Sequence, residues 1–355
     1  MNTQNSAVSK KKMNKALKIL LWIIGIILLL AATALTAYFC LKASGRKKLL
    51  MPSDTVLTVN TDFADSVEDD GKTIYYNGEK YILNENITSV LGMGIDKINI
   101  DKTDEEYGKN GQADCIFLIA IDTATGKTTA INISRETMVD IDVYSESGQY
   151  AGTQKKQICL AYAYGDGKEA SCENVVKAAS RYIYGLPINS YFCFDFEAVG
   201  TVNDYLGGIT VISPEDIEFS DGTSVKAGEA ITLHGNQALK YVRTRGNDIE
   251  ANNRRMSRQT RYVKALAKKI IDRTKKNITV PVSIMNTVSD NLVTNIDASK
   301  VTYLADCFVA KNKTAEIEFK SVSGEVSMGE KYVEFHENQE ELFKLILEIY
   351  YSKAE

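Results

Sequence analysis

The feature that most constrains this chain is an apolar stretch near its N-terminus. From Ile19 to Leu41 the sequence reads "ILLWIIGIILLLAATALTAYFCL", 23 residues without a charged side chain. As a helix, this length crosses a bilayer core of ~30 Å. It is too long for the apolar part of a signal peptide, and the flank "KASGRKK" contains no small-residue cleavage motif. The sequence therefore predicts one transmembrane helix.

Basic residues on both sides of the span predict its orientation. The preceding segment carries five lysines and no acid: Lys10, Lys11, Lys12, Lys15 and Lys18. Four basic residues follow the span: Lys42, Arg46, Lys47 and Lys48. The N-terminal excess is narrow, but the side with more positive charge tends to stay inside. We therefore expect residues 1–18 to form a cytoplasmic tail, residues 19–41 to span the cell membrane once, and the large C-terminal part to be extracellular.

The remainder has the composition of an ordinary soluble domain, with 25% charged residues and a net charge of −4 for the whole chain. Residues 42–84 are predicted to form an acidic stalk and a β-hairpin, because Asn77-Gly78 favours a tight primed turn. Residues 85–272 are predicted to form the main domain, with 273–355 packed on it. The cysteines show no zinc spacing and no disulfide framework.

Three predicted strands bring acids and an arginine together. "TSVLGMGI" ends at Asp96, "CIFLIAID" begins after Asp114, and "KTTAINIS" ends at Arg135. Because sequence neighbours usually pair antiparallel, all three residues should converge at one sheet edge. Two carboxylates beside a phosphate suit Mg²⁺ (or Mn²⁺). The alternative, that each Asp only caps a strand end and faces water, stays open on spacing alone.

Arginine is concentrated in one short segment. The chain has ten arginines beside 32 lysines, and six of the arginines lie in "ALKYVRTRGNDIEANNRRMSRQTRYV". They are Arg243, Arg245, Arg254, Arg255, Arg258 and Arg261. A planar guanidinium grips a carboxylate or phosphate with two parallel hydrogen bonds, which a lysine cannot do. The bias toward arginine therefore predicts an anion site.

Helical periodicity sorts these arginines. In a helix from about Arg255 to Ile271, one face carries Arg255, Arg258 and Gln259 with the apolar residues Tyr262, Val263, Leu266 and Ile270. Arg254 and Arg261 point to solvent. Charges at the start of a buried face need a partner, and an anion at a helix N-terminus supplies one. Arg243 and Arg245, alternating along an extended piece, should face the same side. Internal pairing with Asp248, Glu250 or the strand-end acids would account for one or two arginines.

The sequence resembles the LytR-CpsA-Psr family of membrane-anchored cell-wall enzymes. The resemblance rests on "VLGMGID", "ADCIFLIAIDTATGKTTAINISRETMVDI", "YFCFDFEAVGTVNDYLGGITV" and "ALKYVRTRGNDIEANNRRMSRQ", with a weaker match at "NTVSDNLVTNID". It implies an α/β fold, a twisted mixed sheet flanked by helices, built around a polyprenyl-phosphate lipid. It also implies transfer of a glycopolymer from a polyprenyl-pyrophosphate carrier to peptidoglycan, with Mg²⁺ at the pyrophosphate.

Carried over by motif, the resemblance implies metal-side aspartates at Asp96 and Asp114. The pyrophosphate-binding set it implies is Arg135, Arg243, Arg245, Arg255 and Gln259, with Arg258 beside them. Four of these arginines, Arg135, Arg243, Arg245 and Arg255, are expected to be catalytic. The sequence departs from the family pattern at Glu136 and Asn252, where Asp is usual, and at Gln112, where Arg is common.

Two rival functions remain at this stage. The departures at Asn252 and Glu136 favour a lipid- or glycan-binding protein, or a pyrophosphatase-like one, with weak or no transfer activity. A nucleic-acid binder is disfavoured, because the arginines alternate with core positions instead of forming an exposed stripe. No nucleophilic triad is visible around the two histidines, His234 and His336.

Overall fold

The structure is a computed structural model that describes residues 15–50, 56–57, 59, 62–97, 108–244, 246, 248, 251–311 and 316–354. For residues 15–21, 25, 309 and 310 the backbone alone is described. The cytoplasmic tail predicted for residues 1–18 therefore lies almost wholly outside the described residues, and so does Arg245.

The helices are α1 (Lys15–Leu49), α2 (Glu169–Tyr182), α3 (Phe196–Tyr205), α4 (Asn236–Arg243), α5 (Ala251–Thr274), α6 (Val280–Thr287), α7 (Ala298–Asp306) and α8 (Gln339–Tyr350). Short helical turns of other pitch occupy Ile158–Tyr164, Ser289–Asn291 and Cys307–Lys311. The strands are β1 (Ser66–Val67), β2 (Thr73–Tyr76), β3 (Glu79–Leu83), β4 (Ile87–Ile95), β5 (Ala113–Asp122), β6 (Thr128–Ile133), β7 (Met138–Tyr144), β8 (Tyr150–Gln157), β9 (Ser190–Phe194), β10 (Ile209–Ile212), β11 (Ile217–Glu218), β12 (Ser224–Val225), β13 (Ala230–Leu233), β14 (Leu292–Thr294), β15 (Ile317–Lys320), β16 (Gly324–Met328), β17 (Val333–Glu337) and β18 (Tyr351–Lys353).

Six strands form the central sheet, in the order β14-β9-β4-β5-β6-β15. The sheet is mixed: β4, β5 and β6 are antiparallel neighbours, whereas β9 runs parallel to β4 and β15 parallel to β6. Its middle strands are apolar on both faces because helices cover both. Helices α2 and α8 pack in the core on one face, and α3, α4, α5 and α6 belong to the second core on the other.

Alternation along the strands decides what each face can hold. Leu91 and Met93 of β4 lie in the α2-side core, so Gly92 and Gly94 point to the opposite face. Ala130 of β6 also points there. These small residues leave the second face underfilled, and a cavity lies between it and α5.

The antiparallel pairing predicted for the three consecutive strands is confirmed. The predicted hairpin is also confirmed, with Asn77 and Gly78 at positive φ angles of 52° and 75° between β2 and β3. The predicted acidic stalk is only partly correct. Within it, Ser66–Val67 pairs with β2, and Leu57 is buried in the main core. The acidic composition of this segment predicted neither the short strand nor the buried leucine.

Helix α1 extends the predicted span. Of the described helices, one segment, Trp22–Leu49, is long and apolar enough to cross a membrane. The helix does not stop at Leu41 but continues through "KASGRKKL" to Leu49. Its 35 residues amount to roughly 52 Å at 1.5 Å per residue, more than a bilayer core requires. The last turns pack against α7.

Candidate active site

The ends of three strands assemble the centre of the site. Ile95 of β4 pairs with Ala113 of β5, which places Asp96 and Asp114 just beyond the same sheet edge. The backbone N–H of Gln112 donates to Asp96 Oδ1 at 2.6 Å. From the end of β6, Arg135 reaches Asp114, with Nη1 2.5 Å from Oδ1. The convergence expected from strand order is therefore present.

Asp114 lies between two arginines from different elements. Arg135 Nη1 contacts one carboxylate oxygen, and Arg255 Nη1 from the first turns of α5 lies 3.0 Å from the other. The three side chains are only 14%, 6% and 13% exposed for Arg135, Arg255 and Asp114. Two guanidiniums meet one carboxylate here, with little water to screen them. The buried Glu136 near Arg135 and Asp96 near Asp114 add negative charge to the surroundings. The two planar guanidiniums are the groups of this cluster that suit a phosphate.

Arg135 is fixed by two further contacts. Its Nη2 donates to Gln112 Oε1 and, at 3.4 Å, to the sulfur of Cys159. Burial raises the pKa of the Cys159 thiol to about 11, so the thiol is neutral near pH 7. Arg135 Nε is buried and meets no hydrogen-bond acceptor among the described residues. A buried donor of this kind is suited to a ligand oxygen.

Arg255 is held by Asn252, one turn earlier on α5. Asn252 Oδ1 accepts a hydrogen bond from Arg255 Nη2 at 2.8 Å, while Asn252 Nδ2 donates to Ser134 Oγ at 3.3 Å. Asn252 is 3% exposed. The residue that departs from the family pattern thus bridges β6 to the arginine, and its neutral amide adds no negative charge there.

Arg258 lies on the predicted inward face, but the structure does not bring its guanidinium to the site. Its Nε donates to the Tyr241 carbonyl at 2.9 Å, and its other nitrogens contact the Glu215 carboxylate and the Thr244 carbonyl. The placement beside the pyrophosphate set is therefore corrected. Helical periodicity correctly predicted that this side chain points inward, but its hydrogen-bond acceptors are protein groups and not a ligand.

Gln259 and Arg243 both line the cavity beside Asp114 and Arg255. Gln259 is buried, with Nε2 3.4 Å from the Val242 carbonyl. Arg243 is the last residue of α4, so the expected extended piece is wrong at this position. Its guanidinium lies over the Phe196 ring, 4.0 Å from the centroid. Aromatic stacking orients an exposed arginine while its edge nitrogens stay available to solvent.

The two arginines expected to face solvent do so. Arg254 and Arg261 are exposed, and Arg254 forms an ion pair with Asp248. Internal pairing covers three arginines of this segment: Arg254 with Asp248, Arg255 with Asp114 and Arg258 with Glu215. This is more than the one or two anticipated for that alternative, and Glu215 was not among the partners considered.

The carboxylates fit a divalent cation in a limited way. Asp96 is exposed, yet desolvation by surrounding protein, followed by the nearby Asp114 carboxylate, raises its pKa above the ordinary value. Closely spaced acids of this kind favour a shared cation. Within the described part of the chain, no three His, Cys, Asp or Glu side chains gather as a cage. A Mg²⁺ here would draw its remaining ligands from water and phosphate oxygens, as Mg²⁺ commonly does.

An apolar cavity of about 310 Å³ begins at this cluster. Asp114, Arg255 and Gln259 line it where β5 and α5 start. Beyond them the lining is apolar, and at the far end it comprises Ile119, Leu266, Ile270, Ile317 and Phe319. The site therefore combines an arginine-rich polar end with an apolar compartment, a pattern suited to an amphiphile with a charged head.

Comparison with known proteins decides the family. The LytR_cpsA_psr family model matches residues 55–348. The chain belongs to the LytR_cpsA_psr family. Biofilm regulatory protein A of Streptococcus mutans serotype c is 28% identical over 233 residues, which are 64% of this chain and 54% of that protein. The polyisoprenyl-teichoic acid–peptidoglycan teichoic acid transferase TagV of Bacillus subtilis (strain 168) is 30% identical over 219 residues, 59% of this chain and 49% of that protein.

The chain thus spans about half the length of these two relatives. A solved structure of TagT bound to LI-WTA has the same fold, with a TM-score of 0.53 at 21% identity. The alignment covers 75% of this chain and 90% of that one. At this identity the similarity concerns the fold, and it confirms the mixed sheet flanked by helices.

Two residues of this LytR_cpsA_psr chain's site were missed by sequence reasoning. Cys159 contacts Arg135 from a turn that carries no motif, so no local signal pointed to it. Phe196 stacks on Arg243 and follows the segment "YFCFD", whose aromatic density could have indicated it.

Proposed function

We propose that this protein transfers a glycopolymer from a polyprenyl-pyrophosphate carrier to peptidoglycan. The observation that carries the proposal is the continuity of the Asp114–Arg135–Arg255 cluster with the apolar cavity. A prenyl chain is a purely apolar ligand that ends in a compact anion, and the two halves of the site match its two halves. The teichoic acid transferase activity named for the relative TagV supports the same reaction.

In this proposal the arginines bind and stabilise the phosphates. Arg135 and Arg255 meet the pyrophosphate at the buried end, and Arg243 approaches from the exposed rim. An acceptor sugar hydroxyl attacks the phosphorus next to the polymer, the bond to the bridging oxygen breaks, and polyprenyl phosphate leaves. Positioning and charge stabilisation supply the catalysis, as is usual for phosphoryl transfer.

A Mg²⁺ or Mn²⁺ ion fits the same proposal. Asp96 and Asp114 would hold it beside the pyrophosphate, where it would neutralise charge on the departing phosphate. Asp114 would then have two tasks, since it also aligns the two guanidiniums. Asp96, exposed and hydrogen-bonded at Oδ1 to the Gln112 amide, is the side chain better placed to meet a hydrated ion.

The partners follow from the substrate. The membrane supplies the polyprenyl carrier, and peptidoglycan supplies the acceptor, so the domain belongs on the outer side of the cell membrane with the N-terminus in the cytoplasm. Nucleic acid is not part of the proposal, because Arg135 and Arg255 meet at Asp114, Arg258 is buried against Glu215, and the solvent-facing Arg254 is paired with Asp248.

A second candidate is a protein that binds or hydrolyses the carrier without transferring its polymer. It is favoured by Asn252, since the structure commits this amide to Arg255 and Ser134 at a position where the family pattern has a carboxylate. An amide cannot accept the proton of the acceptor hydroxyl.

The test uses the full chain in vesicles with a synthetic polyprenyl pyrophosphate that carries a short glycan. Release of polyprenyl phosphate is measured with and without an oligosaccharide acceptor at fixed Mg²⁺. We expect acceptor-dependent release, lost in Arg255→Ala and retained in Arg261→Ala. Release of polyprenyl phosphate that does not depend on the acceptor would favour hydrolysis. Binding of the carrier without release would favour the carrier-binding alternative.

A further inference from the structure

The C-terminal turns of α1 lie along α7 in a specific, ion-paired contact. Near the end of α1, Lys48 Nζ lies 2.5 Å from Asp297 Oδ2, at the N-terminus of α7. Six residues earlier, Lys42 Nζ lies 2.7 Å from Asp306 Oδ2, and ten residues earlier the Tyr38 hydroxyl donates to Asp306 Oδ1 at 2.9 Å. The helices therefore run antiparallel over roughly 15 Å of α1.

Close backbone packing accompanies these polar contacts. Gly45 is buried, and a Cβ built on it would collide with the Ser299 carbonyl of α7. Leu49 is fully buried with Tyr303 and Cys307, and its carbonyl accepts a 3.0 Å hydrogen bond from Thr88 at the start of β4. A glycine contact fixed at both ends by ion pairs defines one arrangement of the two helices. The helix that carries the membrane span is thus held rigidly against the domain.

This contact locates the bilayer boundary. Lys42 is the first charged residue after the 23 uncharged residues from Ile19 to Leu41, and Tyr38 precedes it by one turn. Tyrosine and lysine at the end of a span lie at the level of the lipid head groups. Because both bind Asp306, the C-terminal end of α7 lies at that level too.

The chain then connects this boundary to one end of the sheet. Directly after α7, the Cys307 sulfur and Lys311 Nζ both donate to the Thr123 carbonyl, at 3.7 Å and 2.6 Å. Thr123 begins the turn between β5 and β6. The turn's Ala124, Thr125 and Lys127 are exposed. The β5–β6 turn is therefore at the membrane-proximal end of the domain.

The cavity runs along the same strand. Asp114 opens β5 at the polar end, and Ile119 lines the apolar part five residues later, roughly 17 Å away at 3.3–3.4 Å per residue. Ile317 enters at this far end, because its partner Thr128 is opposite Ile121 of β5. The apolar end of the cavity is thus close to the β5–β6 turn, and the Asp114 cluster is at the opposite end.

We propose that the α1–α7 contact orients the domain on the bilayer, with the apolar end of the cavity toward the lipid surface and the Asp114 end directed away from it. A prenyl tail then lies between the bilayer and the site, and its phosphates are held well above the head groups, where a polymeric acceptor can reach them. This rests on the proposed function only in taking a prenyl chain as the occupant.

The experiment compares two introduced cysteine reporters in the full chain, on a Cys40→Ala, Cys115→Ala background in which the four remaining cysteines are buried. Thr125→Cys reports from the β5–β6 turn, and Ser257→Cys, exposed one turn after Asn253 on α5, reports from the Asp114 end. Each is labelled with a fluorophore and reconstituted in phosphatidylcholine–phosphatidylglycerol vesicles that contain a head-group nitroxide lipid. We expect strong quenching at position 125 and weak quenching at 257. Equal quenching, or stronger quenching at 257, would overturn the proposed orientation.

A helix variant tests whether the α1–α7 contact sets this orientation. Gly45→Leu introduces a good helix former, so it preserves α1, but its side chain prevents the close approach to Ser299. Ser44→Leu, at the neighbouring exposed position, is the matched control. We expect Gly45→Leu to abolish the difference between the two reporters and Ser44→Leu to preserve it. An unchanged difference in Gly45→Leu would mean that the contact does not orient the domain.

A lipid probe separates this inference from the proposed function. A prenyl phosphate with a photoreactive group at its tail should crosslink to peptides around Ile119 and Ile317. Crosslinks near Asp114 would overturn the orientation of the tail. The quenching measurements need no prenyl substrate, so a failure to bind the prenyl phosphate with the quenching difference intact would count against the proposed function alone.

Discussion

Arg255 and Arg258 lie one turn apart on the same buried face of α5, yet they belong to different regions. Arg255 faces Asp114 and the cavity, where its neighbours are another arginine, an amide and space for a ligand. Arg258 points into a loop region, where two carbonyls and Glu215 take up its guanidinium. Burial and helical direction therefore do not by themselves identify an anion site; Arg255 differs from Arg258 because it also lines the cavity.

Arg258→Ala should produce the largest effect, and it should be an effect on stability. The substitution leaves the Tyr241 and Thr244 carbonyls without this donor, and the partly buried Glu215 keeps only a 3.9 Å ion pair with Arg254 among the described residues. Removing one partner of such an arrangement costs about 3 kcal/mol or more. Thermal unfolding of the isolated variant measures the loss. If Arg258→Ala melts like the wild type but no longer binds prenyl pyrophosphate, Arg258 belongs to the pyrophosphate-binding site after all.

Arg255→Ala should weaken binding, and it should lower the melting temperature less than Arg258→Ala does, because Asp114 keeps its contact with Arg135. A charged hydrogen bond to a desolvated phosphate contributes about 1.5–3 kcal/mol, so the affinity should fall roughly 10- to 150-fold. Arg255→Lys keeps the charge but loses the planar fork and should recover only part of that affinity. Titration with prenyl pyrophosphate at fixed Mg²⁺ and salt measures both. Full recovery in the lysine variant would show that only charge matters.

Sequence reasoning succeeded where the geometry is local. Strand alternation and short turns place Asp114 and Arg135 together, and helical periodicity separates Arg254 from Arg255. It failed where a partner is distant in sequence. Glu215 is 43 residues from Arg258, and the two carbonyl acceptors come from backbone that no side-chain pattern encodes. The extended conformation begins at Thr244, so Arg243 was misjudged by a single residue at a helix end.

Asn252→Asp tests whether a carboxylate beside Arg255 increases glycopolymer transfer. A carboxylate in this position keeps the contact to Arg255 and adds a proton acceptor near the acceptor-binding side. General-base assistance typically contributes a factor of 10² or more, so acceptor-dependent transfer should rise at least about tenfold. Affinity for the pyrophosphate should fall, because the added carboxylate places negative charge beside Arg255. Unchanged transfer would show that this position only supports Arg255.

The cavity offers a test that leaves both arginines intact. Ala130→Leu extends apolar bulk into the underfilled space, where the added methylenes can be buried at about 0.8 kcal/mol each. We expect a melting temperature equal to or above that of the wild type, with prenyl affinity reduced about tenfold or more. Ala151→Leu, at an exposed position, is the matched control and should change neither. Normal prenyl binding in Ala130→Leu would place the tail elsewhere.

The smallest effects are expected at the two arginines that face solvent. Arg254 is 44% exposed and its partner Asp248 53%, so their ion pair contributes at most about 1 kcal/mol. Arg261 is likewise exposed. In Arg254→Ala and Arg261→Ala, prenyl pyrophosphate affinity should change by less than about fivefold, since exposed charges are screened by water and salt.

The same titration at low and high salt distinguishes two kinds of binding. If Arg254→Ala and Arg255→Ala weaken binding equally, and the losses vanish together as salt is added, a diffuse basic surface attracts the ligand. If only Arg255→Ala weakens binding and the loss persists at high salt, the buried guanidinium of Arg255 holds the anion. The direction in which an arginine side chain points from α5 then determines whether it binds the ligand.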